Sequence, residues 1–435
     1  MTDWTTDSNE ALSISLVRSD KDKESLAEDE TYEDFSPSFT YPIYGEDEKI
    51  YGYNDLVIDL RFASGSLAPY LSVNYSEKLP SSSTVDDVEG TLSPFLPPGY
   101  YEDEAAFLMR IEEDATTFKP HGDLIHTYTR PSPSALGKGK GVAPLSPEHK
   151  DAVVYEVYHA TWKTSGFREY HRRMQLFILL YIEAGSYINE EEDQWEFVTL
   201  FEKRKRRDTP DVATYHFIGY SSLYNFYHFP EKVRMRLSQF VILPPYQRQG
   251  HGSELYNAIY AHIVLRPDVA ELTVEDPAEA FEDLRDRNDL KMLLSNAQFM
   301  QEGFGSDGVG GGVSHGGGKV IKGKSRGVNV NAGRVGRGKG KMGPPAEKGW
   351  VEKWRKDLKI AGRQFHRLVE MLIVLHLDPA DLRAERAFRL QVKERLYRFN
   401  YEILVQLEKE ERLEKLEETF QSVCEDYSRI LGMLR

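Results

Sequence analysis

Cysteine, long hydrophobic runs and an excess of positive charge are all missing from this sequence. Its 435 residues include one cysteine, Cys424, which excludes an intramolecular disulfide and a cluster of thiolate metal ligands. No apolar run approaches the roughly 18 residues that a membrane helix needs, and the N-terminal stretch has acidic residues where a secretion signal has basic ones. We therefore expect an intracellular protein without a membrane span.

The charge balance restricts the partners of the protein. Lys and Arg number 55 against 70 Asp and Glu, which gives a formal net charge of −15. An acidic surface repels nucleic acid and attracts basic molecules, so the balance argues against sequence-specific nucleic-acid binding and favours a basic macromolecular substrate. The 12 histidines show no spacing of the H-E-x-x-H kind, and we therefore expect no metal site.

Composition divides the chain into five segments. Residues 1–35 are strongly acidic and lack periodicity, which predicts a disordered tail. Residues 36–156 alternate in short segments between turns and predict a mixed α/β domain, and residues 157–300 have longer apolar strands followed by an amphipathic helix. Residues 301–346 hold 16 of the 33 glycines and predict a disordered basic insert, whereas residues 347–435 return to helical periodicity and predict a helical bundle.

The most informative run is FVILPPYQRQGHGSELYNAIY, at residues 240–260. A β-branched strand stops at Pro244 and Pro245, and an amphipathic helix opens near Ser253. Between them, Gly250 and Gly252 allow the backbone to bend so that N–H groups and the helix N-terminus face one anion, for which a diphosphate is the natural occupant. The alternative is an ordinary strand-to-helix turn in which the glycines provide only tightness.

The pattern Q-x-x-G-x-G between a strand and a helix resembles the cofactor turn of the GCN5-related N-acetyltransferases (GNAT). Together with ELTVEDPAEAFEDLRDRND at residues 271–289, the run is similar to the catalytic subunits of type B histone acetyltransferases. Further similarity lies in YGEDEKIYGY, YIEAGSYI, LYNFYHFP and RQFHRLVEMLIVL. The resemblance implies an α+β protein with a mixed N-terminal domain that helps form a histone-peptide groove, a central GNAT-type acetyltransferase domain with splayed strands, and C-terminal helices.

The activity that this resemblance implies is direct transfer of acetyl from acetyl-CoA to lysines on the N-terminal tail of newly synthesised, soluble histone H4, the type B activity of chromatin assembly. A WD40-repeat histone chaperone is the implied partner, and cytoplasm and nucleus are the implied locations. Two alternatives stay open at this stage: a noncatalytic acidic histone chaperone, and an acetyltransferase for a nonhistone amine.

The resemblance also implies the coenzyme contacts. Strand backbone groups would bind the pantetheine arm, the turn would hold the diphosphate, and two later residues would add contacts. Arg287 has an equally good interpretation as an exposed helix arginine. The implied residues are Phe240, Val241 and Ile242 for the arm, Gln247, Arg248, Gln249, Gly250, His251, Gly252 and Ser253 for the diphosphate, and Ala278 and Arg287 beyond them.

Amide formation needs a neutral lysine amine, so a carboxylate must accept a proton. The resemblance assigns this role to Glu275 in TVEDP, with Asp276 capping the next helix or assisting; either residue could instead be an acidic N-cap. Glu183 lies in an apolar run, where burial would raise its pKa and suit it to assist, although a structural carboxylate is the alternative. Because the sequence has no second thiol, an acetyl-cysteine intermediate is not expected.

Two short segments coincide with the histone-tail contacts of the family. The acidic run Glu46, Asp47 and Glu48 would steer a basic peptide, and Tyr224, Asn225 and Phe226 would line the same groove. The alternative for the acidic run is a solvated loop.

The basic insert resembles a histone tail in composition, with GRVGRGKGKMG at residues 333–343, and ALGKGKGVAP at residues 135–144 is a second such run. One hypothesis is that Lys339 or Lys341, and also Lys138 or Lys140, enter the active site as a pseudosubstrate or become autoacetylated. The alternative is a tolerated insertion of low complexity.

Overall fold

The computed structural model describes residues 4–28, 30–80, 84–132, 146–147, 149, 152–206, 209, 211–305 and 340–434. The chain forms two compact units, Met1–Asp276 and Pro277–Arg435. None of the described helices combines the length and apolar character that a bilayer crossing requires.

The first unit contains all the described strands and eight α-helices. The strands are β1 Thr5–Asp7, β2 Leu12–Val17, β3 Lys49–Tyr51, β4 Tyr53–Asn54, β5 Val57–Ala63, β6 Pro69–Asn74, β7 Glu77–Lys78, β8 Asp123–Pro131, β9 Ala152–Thr161, β10 Trp195–Lys205, β11 Ala213–His228, β12 Lys232–Ile242 and β13 Val269–Val274. The helices are α1 Ser8–Ala11, α2 Asp20–Lys23, α3 Tyr41–Tyr44, α4 Val88–Leu92, α5 Glu104–Thr117, α6 Phe167–Met174, α7 Leu176–Tyr181 and α8 His251–Val264.

A six-stranded sheet in the order β13-β12-β11-β10-β9-β8 is the centre of this unit. Its pairs are antiparallel except for the parallel pair β12 and β13. The first eight residues of β10 are buried without interruption, as expected for a central strand covered on both faces. Along β12 exposure alternates, because successive side chains of a strand point to opposite faces.

Strand β12 continues beyond the end of its neighbour β13. Their pairing stops at Leu237 opposite Val274, whereas the pairing of β12 with β11 continues to Ile242. Strand β12 therefore extends five residues beyond its pairing with β13. Residues 238–242 of β12 thus lie beyond the end of β13, where the predicted splayed strands would leave an opening.

The first 23 residues include strands β1 and β2 and helices α1 and α2, so the disordered tail predicted for residues 1–35 is wrong. Strand β2 pairs in parallel with β5, and β6 completes a three-stranded sheet. Arg18 is buried and forms an ion pair with Glu202, with 2.8 Å between Nη2 and Oε2. The net charge of the segment hid the short strand LSISLV, which a distant partner strand buries.

The second unit is helical, in agreement with the predicted bundle. Its helices are α9 Glu279–Ser295, α10 Ala297–Phe304, α11 Lys348–Asp357, α12 Gly362–His376, α13 Leu382–Phe399, α14 Tyr401–Leu404 and α15 Lys409–Gly432. Helix α12 buries Phe365, Leu368, Val369 and Leu372, which the helical period places on one face. Four apolar residues of this unit are exposed: Leu375, Phe399, Ile403 and Leu413.

Three predicted boundaries differ from the structure. The division between residues 156 and 157 falls inside β9, which pairs along its length with β10. Residues 277–300, expected in the acetyl-transfer domain, lie in the helical unit. The expected insert begins inside α10 and ends in ordered chain where Met342 is fully buried; residues 306–339 and the run at 135–144 lie outside the described residues.

Candidate functional site

The turn between β12 and α8 presents a row of backbone amides. After a single 3₁₀ turn at Pro244–Tyr246, Arg248 and Gly250 adopt positive φ angles of 59° and 81°. Helix α8 then begins at His251 without a capping side chain. Among the described residues, none accepts a hydrogen bond from the backbone N–H groups of residues 248–252. Because a helix N-terminus also carries partial positive charge, this turn is preorganised for an anion.

Side-chain amides brace the turn from within. Gln247 Nε2 donates to the carbonyl of Ile242 at 2.8 Å, and Gln249 Nε2 donates to the carbonyl of Pro245 at 2.8 Å. These two predicted diphosphate residues therefore use their side chains to fix the loop. The backbone N–H of Gln247 also donates within the loop, to the carbonyl of Pro244 at 3.1 Å, so only that of Gln249 belongs to the row of available amides.

His251 is the first residue of α8, and its ring is buried. Nδ1 shares a 2.7 Å hydrogen bond with the Tyr128 hydroxyl. Burial, and next the positive charge of Arg130, lower the pKa of His251 to about 3, so the ring is neutral. The side chain of this predicted coenzyme residue belongs to the core, and only the backbone N–H of His251 is available to a ligand at the turn.

A network of buried charged side chains supports the anion-binding turn through Tyr246. The Tyr246 hydroxyl accepts a hydrogen bond from Arg18 at 2.9 Å and donates one to Glu202 at 3.0 Å. Arg204 also ion-pairs with Glu202, and Tyr32 lies under the Arg18 guanidinium. Sequence reasoning missed this network, because its members are up to 228 positions apart and no local pattern connects them.

The predicted base, Glu275, directly follows β13, at the point where the pairing of β12 with β13 ends. Its N–H donates to the carbonyl of Leu237 at 2.9 Å, which continues the strand pairing by one bond. Its carboxylate accepts a hydrogen bond from the Ser238 hydroxyl and lies 3.5 Å from Arg236 Nη1. The side chain is 41% exposed, so a substrate amine can approach the carboxylate that these two neighbours hold.

The alternative interpretation of Glu275 and Asp276 as acidic N-caps is wrong. The N-cap position of α9 is occupied by Ala278, and no side chain caps this helix. Asp276 instead has a positive φ of 30° in the exposed turn that follows β13.

An aromatic row lies beside Glu275. Tyr224 and Phe226 are two residues apart on β11 and share one face, with ring centroids 4.6 Å apart. The guanidinium of Arg236 lies 4.3 Å from the centroid of Phe226 and also reaches Glu275. The structure thus brings predicted groove residues and the predicted base together through one arginine.

Asn225, on the other face of β11, has a structural partner. Its Nδ2 donates to Glu196 Oε1 at 2.6 Å. Glu196 Oε2 also accepts from His159 and Arg266, each at 2.7 Å.

His262 completes a cluster with His159 and Glu196, whose potential ligand atoms lie within 4.8 Å of one another. The Glu196 carboxylate of this cluster already accepts hydrogen bonds from Asn225, His159 and Arg266, and Arg266 also forms an ion pair with Asp268.

Glu183 is exposed in the turn after α7, which contradicts its expected burial. The apolar run before it forms α7, and the chain leaves the core at Ile182, where α7 ends. The turn is attached to β12, because Gln239 Nε2 donates to the carbonyl of Ser186 at 2.9 Å. Glu183 therefore lies at the surface, in a turn that Gln239 anchors to the sheet.

The acidic run divides into two parts. Glu48 accepts hydrogen bonds from the N–H groups of Thr40 at 2.7 Å and Tyr41 at 3.0 Å, and the first of these is the main cause of its lowered pKa. Glu48 thus holds the start of α3, whereas Glu46 and Asp47 are exposed.

The strand residues of the predicted arm site lie on β12 beyond its pairing with β13, with Val241 buried and Phe240 and Ile242 partly exposed. Ala278 and Arg287 belong to the second unit, where Arg287 Nε is buried without a partner among the described residues. Their coenzyme contacts remain predictions.

Comparison with known proteins agrees with this geometry. The family model described as the N-terminus of histone acetyl transferase HAT1 matches residues 4–183, the GNAT acetyltransferase family model matches residues 171–281, and the fungal HAT1 C-terminal model matches residues 339–378. The histone acetyltransferase type B catalytic subunit of Cryptococcus neoformans is 49% identical over 99% of this chain and 98% of that protein. The protein of the same name from Mycosarcoma maydis is 42% identical over 99% of this chain and 88% of that protein. The one from Mus musculus is 29% identical over 100% of this chain and 95% of that protein. The chain therefore belongs to the family of histone acetyltransferase type B catalytic subunits.

Proposed function

We propose that this histone acetyltransferase moves acetyl from acetyl-CoA directly to lysine side chains on the N-terminal tail of newly synthesised, soluble histone H4. The observation that carries the proposal is the arrangement around β12. An anion-binding turn follows the end of this strand, residues 238–242 extend beyond its pairing with β13, and Glu275 lies where that pairing ends.

Each part of the arrangement has a role in the transfer. The diphosphate of acetyl-CoA binds the amides of residues 248–252, and the pantetheine arm extends along residues 240–242. Glu275 takes one proton from the lysine ammonium, and the neutral amine attacks the thioester carbonyl. The new C–N bond forms, the C–S bond breaks, and the coenzyme leaves as a thiolate that takes up the second proton lost by the nitrogen. Ser238 and Arg236 hold the carboxylate in position for that transfer.

Transfer proceeds without an acyl-enzyme. Cys424 is the single cysteine of the chain, and burial raises the pKa of its thiol, which disfavours the nucleophilic thiolate. Acetyl-CoA and the histone tail therefore bind together before the reaction.

The substrate side of the proposal rests on charge and aromatic surface. Exposed Glu46 and Asp47 attract a Lys- and Arg-rich tail, and Tyr224 and Phe226 provide apolar contact beside Glu275. The family membership supports two further proposals: a WD40-repeat histone chaperone as partner, and a role in chromatin assembly in both cytoplasm and nucleus.

The test of the base is Glu275→Gln, which removes the proton acceptor at nearly constant size. We expect kcat to fall roughly 100-fold or more, while the dissociation constant for acetyl-CoA stays within about twofold, because positioned general-base catalysis contributes about 10²–10⁴-fold. Glu169→Gln, an exposed glutamate on α6, is the matched control and should keep full activity. Equal turnover by Glu275→Gln and the wild type would contradict the assignment.

The acceptor is tested with separated histones and a polyamine under the same conditions. Histone H4 should dominate as acceptor, with the label in its N-terminal tail by mass spectrometry. A stronger signal on another histone or on the polyamine would reject the H4 proposal while leaving the acetyl-transfer chemistry intact.

A further inference from the structure

Arg130, next to the last residue of edge strand β8, lies against the anion-binding turn. A Cβ built on Gly250 would lie 3.1 Å from Arg130 Nη2 and 3.6 Å from Nη1, so the guanidinium packs on the backbone of this glycine. The contact follows from the topology: α8 begins at the turn after β12 and packs against β8, at the opposite edge of the sheet from β13. Sequence reasoning about residues 247–253 had no access to a residue more than a hundred positions earlier.

The Arg130 guanidinium lies 5.1 Å from the centroid of the Tyr128 ring and donates no hydrogen bond in the described part of the chain. Its nearest carboxylate oxygen, Glu254 Oε1, is 3.7 Å away, which exceeds a hydrogen bond, and no described residue accepts one from it. The side chain is 25% exposed. By contrast, Arg18 and Arg204 are tied into buried carboxylates. Five guanidinium N–H donors and the five amides of residues 248–252 are thus available in one place.

Charge favours the same conclusion. A diphosphate brings two negative charges to a helix end that also carries Glu254 in its first turn. The turn itself supplies partial charges from its amides and one cation, the exposed Arg248. The position of Arg130, between Gly250 and Glu254, offsets the glutamate and provides a planar fork that suits phosphate oxygens.

We propose that Arg130 binds the diphosphate of acetyl-CoA, as a cofactor-binding residue from outside the turn; this inference rests on the proposed function. The ligand would draw the guanidinium from its loose contact with Glu254 onto the phosphate oxygens. The effect of Arg130 is therefore on coenzyme affinity, and the acetyl-transfer step itself does not depend on it.

The experiment compares Arg130→Gln with the wild-type chain. We expect the dissociation constant for CoA, measured by calorimetry, and the KM for acetyl-CoA to rise roughly tenfold or more, because a charge-assisted hydrogen bond is lost. At saturating acetyl-CoA, kcat and the KM for an H4 peptide should stay within about twofold. Arg130→Lys keeps the positive charge but loses the planar guanidinium. Its dissociation constant for CoA and its KM for acetyl-CoA should lie between those of Arg130→Gln and the wild type. The matched control Arg172→Gln removes an exposed arginine that pairs with Glu190 on the same unit and should bind CoA normally.

A second ligand separates the phosphates of the coenzyme. With 3′-dephospho-CoA, the ratio of mutant to wild-type dissociation constants should be the same as with CoA, because the diphosphate is unchanged. A ratio near one with CoA would overturn the role of Arg130, and a ratio that falls to one only with 3′-dephospho-CoA would overturn its assignment to the diphosphate. If the wild type bound neither ligand, the proposed function itself would fail. Should Arg130→Gln not fold, as judged by circular dichroism, Arg130→Lys decides by the same two ratios.

Discussion

Arg18 and Glu202 show how a single buried pair can support a surface site. Both side chains are almost fully buried. Arg18 forms an ion pair with the Glu202 carboxylate, and the Tyr246 hydroxyl, just before the anion-binding turn, accepts a hydrogen bond from Arg18 and donates one to Glu202. The positive charges of Arg18 and Arg204 outweigh the effect of burial and keep the pKa of Glu202 well below its usual value. The carboxylate is therefore ionised, and its energy depends on these partners.

Arg18→Met tests this dependence. The change leaves Glu202 charged and buried with Arg204 as its remaining guanidinium partner, so we expect a loss of about 3 kcal/mol in the free energy of unfolding. Urea denaturation followed by circular dichroism measures it. Lys23→Met, which removes an exposed pair with Glu33, should change stability by less than about 1 kcal/mol. A comparable loss for both variants would show that the buried pair has no special weight.

At the scale of residues, sequence reasoning was strongest where a local pattern encodes the chemistry. Glu275 was singled out by the resemblance of the local motif TVEDP to a family sequence, and it directly follows the short strand β13. The exposure of Glu183 could not be predicted, because an apolar run does not reveal where the chain leaves the core. Arg18 and Arg130 escaped notice because each acts on a residue distant in sequence.

Strand β12 connects the parts of the site. Ser238 contacts Glu275 on one side, and the next residue, Gln239, holds the turn of Glu183 through the carbonyl of Ser186. Gln239 is buried and also accepts a 2.9 Å hydrogen bond from the Ser222 hydroxyl of β11. One element therefore contacts Glu275 and the turn of Glu183, two of the three carboxylates that the sequence proposed for proton transfer.

Gln239→Leu should release the turn of Glu183 without moving Glu275. Loss of two hydrogen bonds and an orphaned Ser222 hydroxyl should cost about 1–3 kcal/mol of stability. If Glu183 assists catalysis from this turn, kcat falls in Gln239→Leu and Glu183→Gln alike. We expect both reductions to be smaller than that of Glu275→Gln, because Glu183 is exposed. Steady-state assays of the three variants decide this, and a Glu183→Gln defect as large as that of Glu275→Gln would contradict the ranking.

The elements themselves were predictable where periodicity is local. The strand, double proline, turn and helix of residues 240–260 follow from their own sequence, as does helix α12. Strand β2 was not predictable from the charge of its segment, because its stability comes from pairing with β5, more than forty residues later.

In the molecule as a whole, the described chain on either side of residues 306–339 comes together. Gly340 lies so close to Gly303 that a Cβ on it would be 2.1 Å from the Gly303 carbonyl oxygen, and Met342 N–H donates to the same carbonyl at 2.9 Å. Lys341, one of the proposed pseudosubstrate lysines, forms an ion pair with Glu347. Composition indicated an insert, but not that its flanks pack against α10.

Replacing residues 306–339 with a four-residue Gly-Ser linker should therefore leave the helical unit folded. The replacement shortens the connection by about three halvings of its length. Because a shorter connection costs less entropy to close, we expect a gain of up to about 2 kcal/mol in the free energy of unfolding. Urea denaturation measures it, and a loss of more than about 1 kcal/mol would show that the segment contributes native contacts. The same variant tests the pseudosubstrate hypothesis, because a competing internal tail would raise the apparent KM for an H4 peptide in the full chain. If the KM is unchanged by the replacement, Lys339 does not occupy the substrate site, and the segment is an insertion that the fold tolerates because its two flanks already meet.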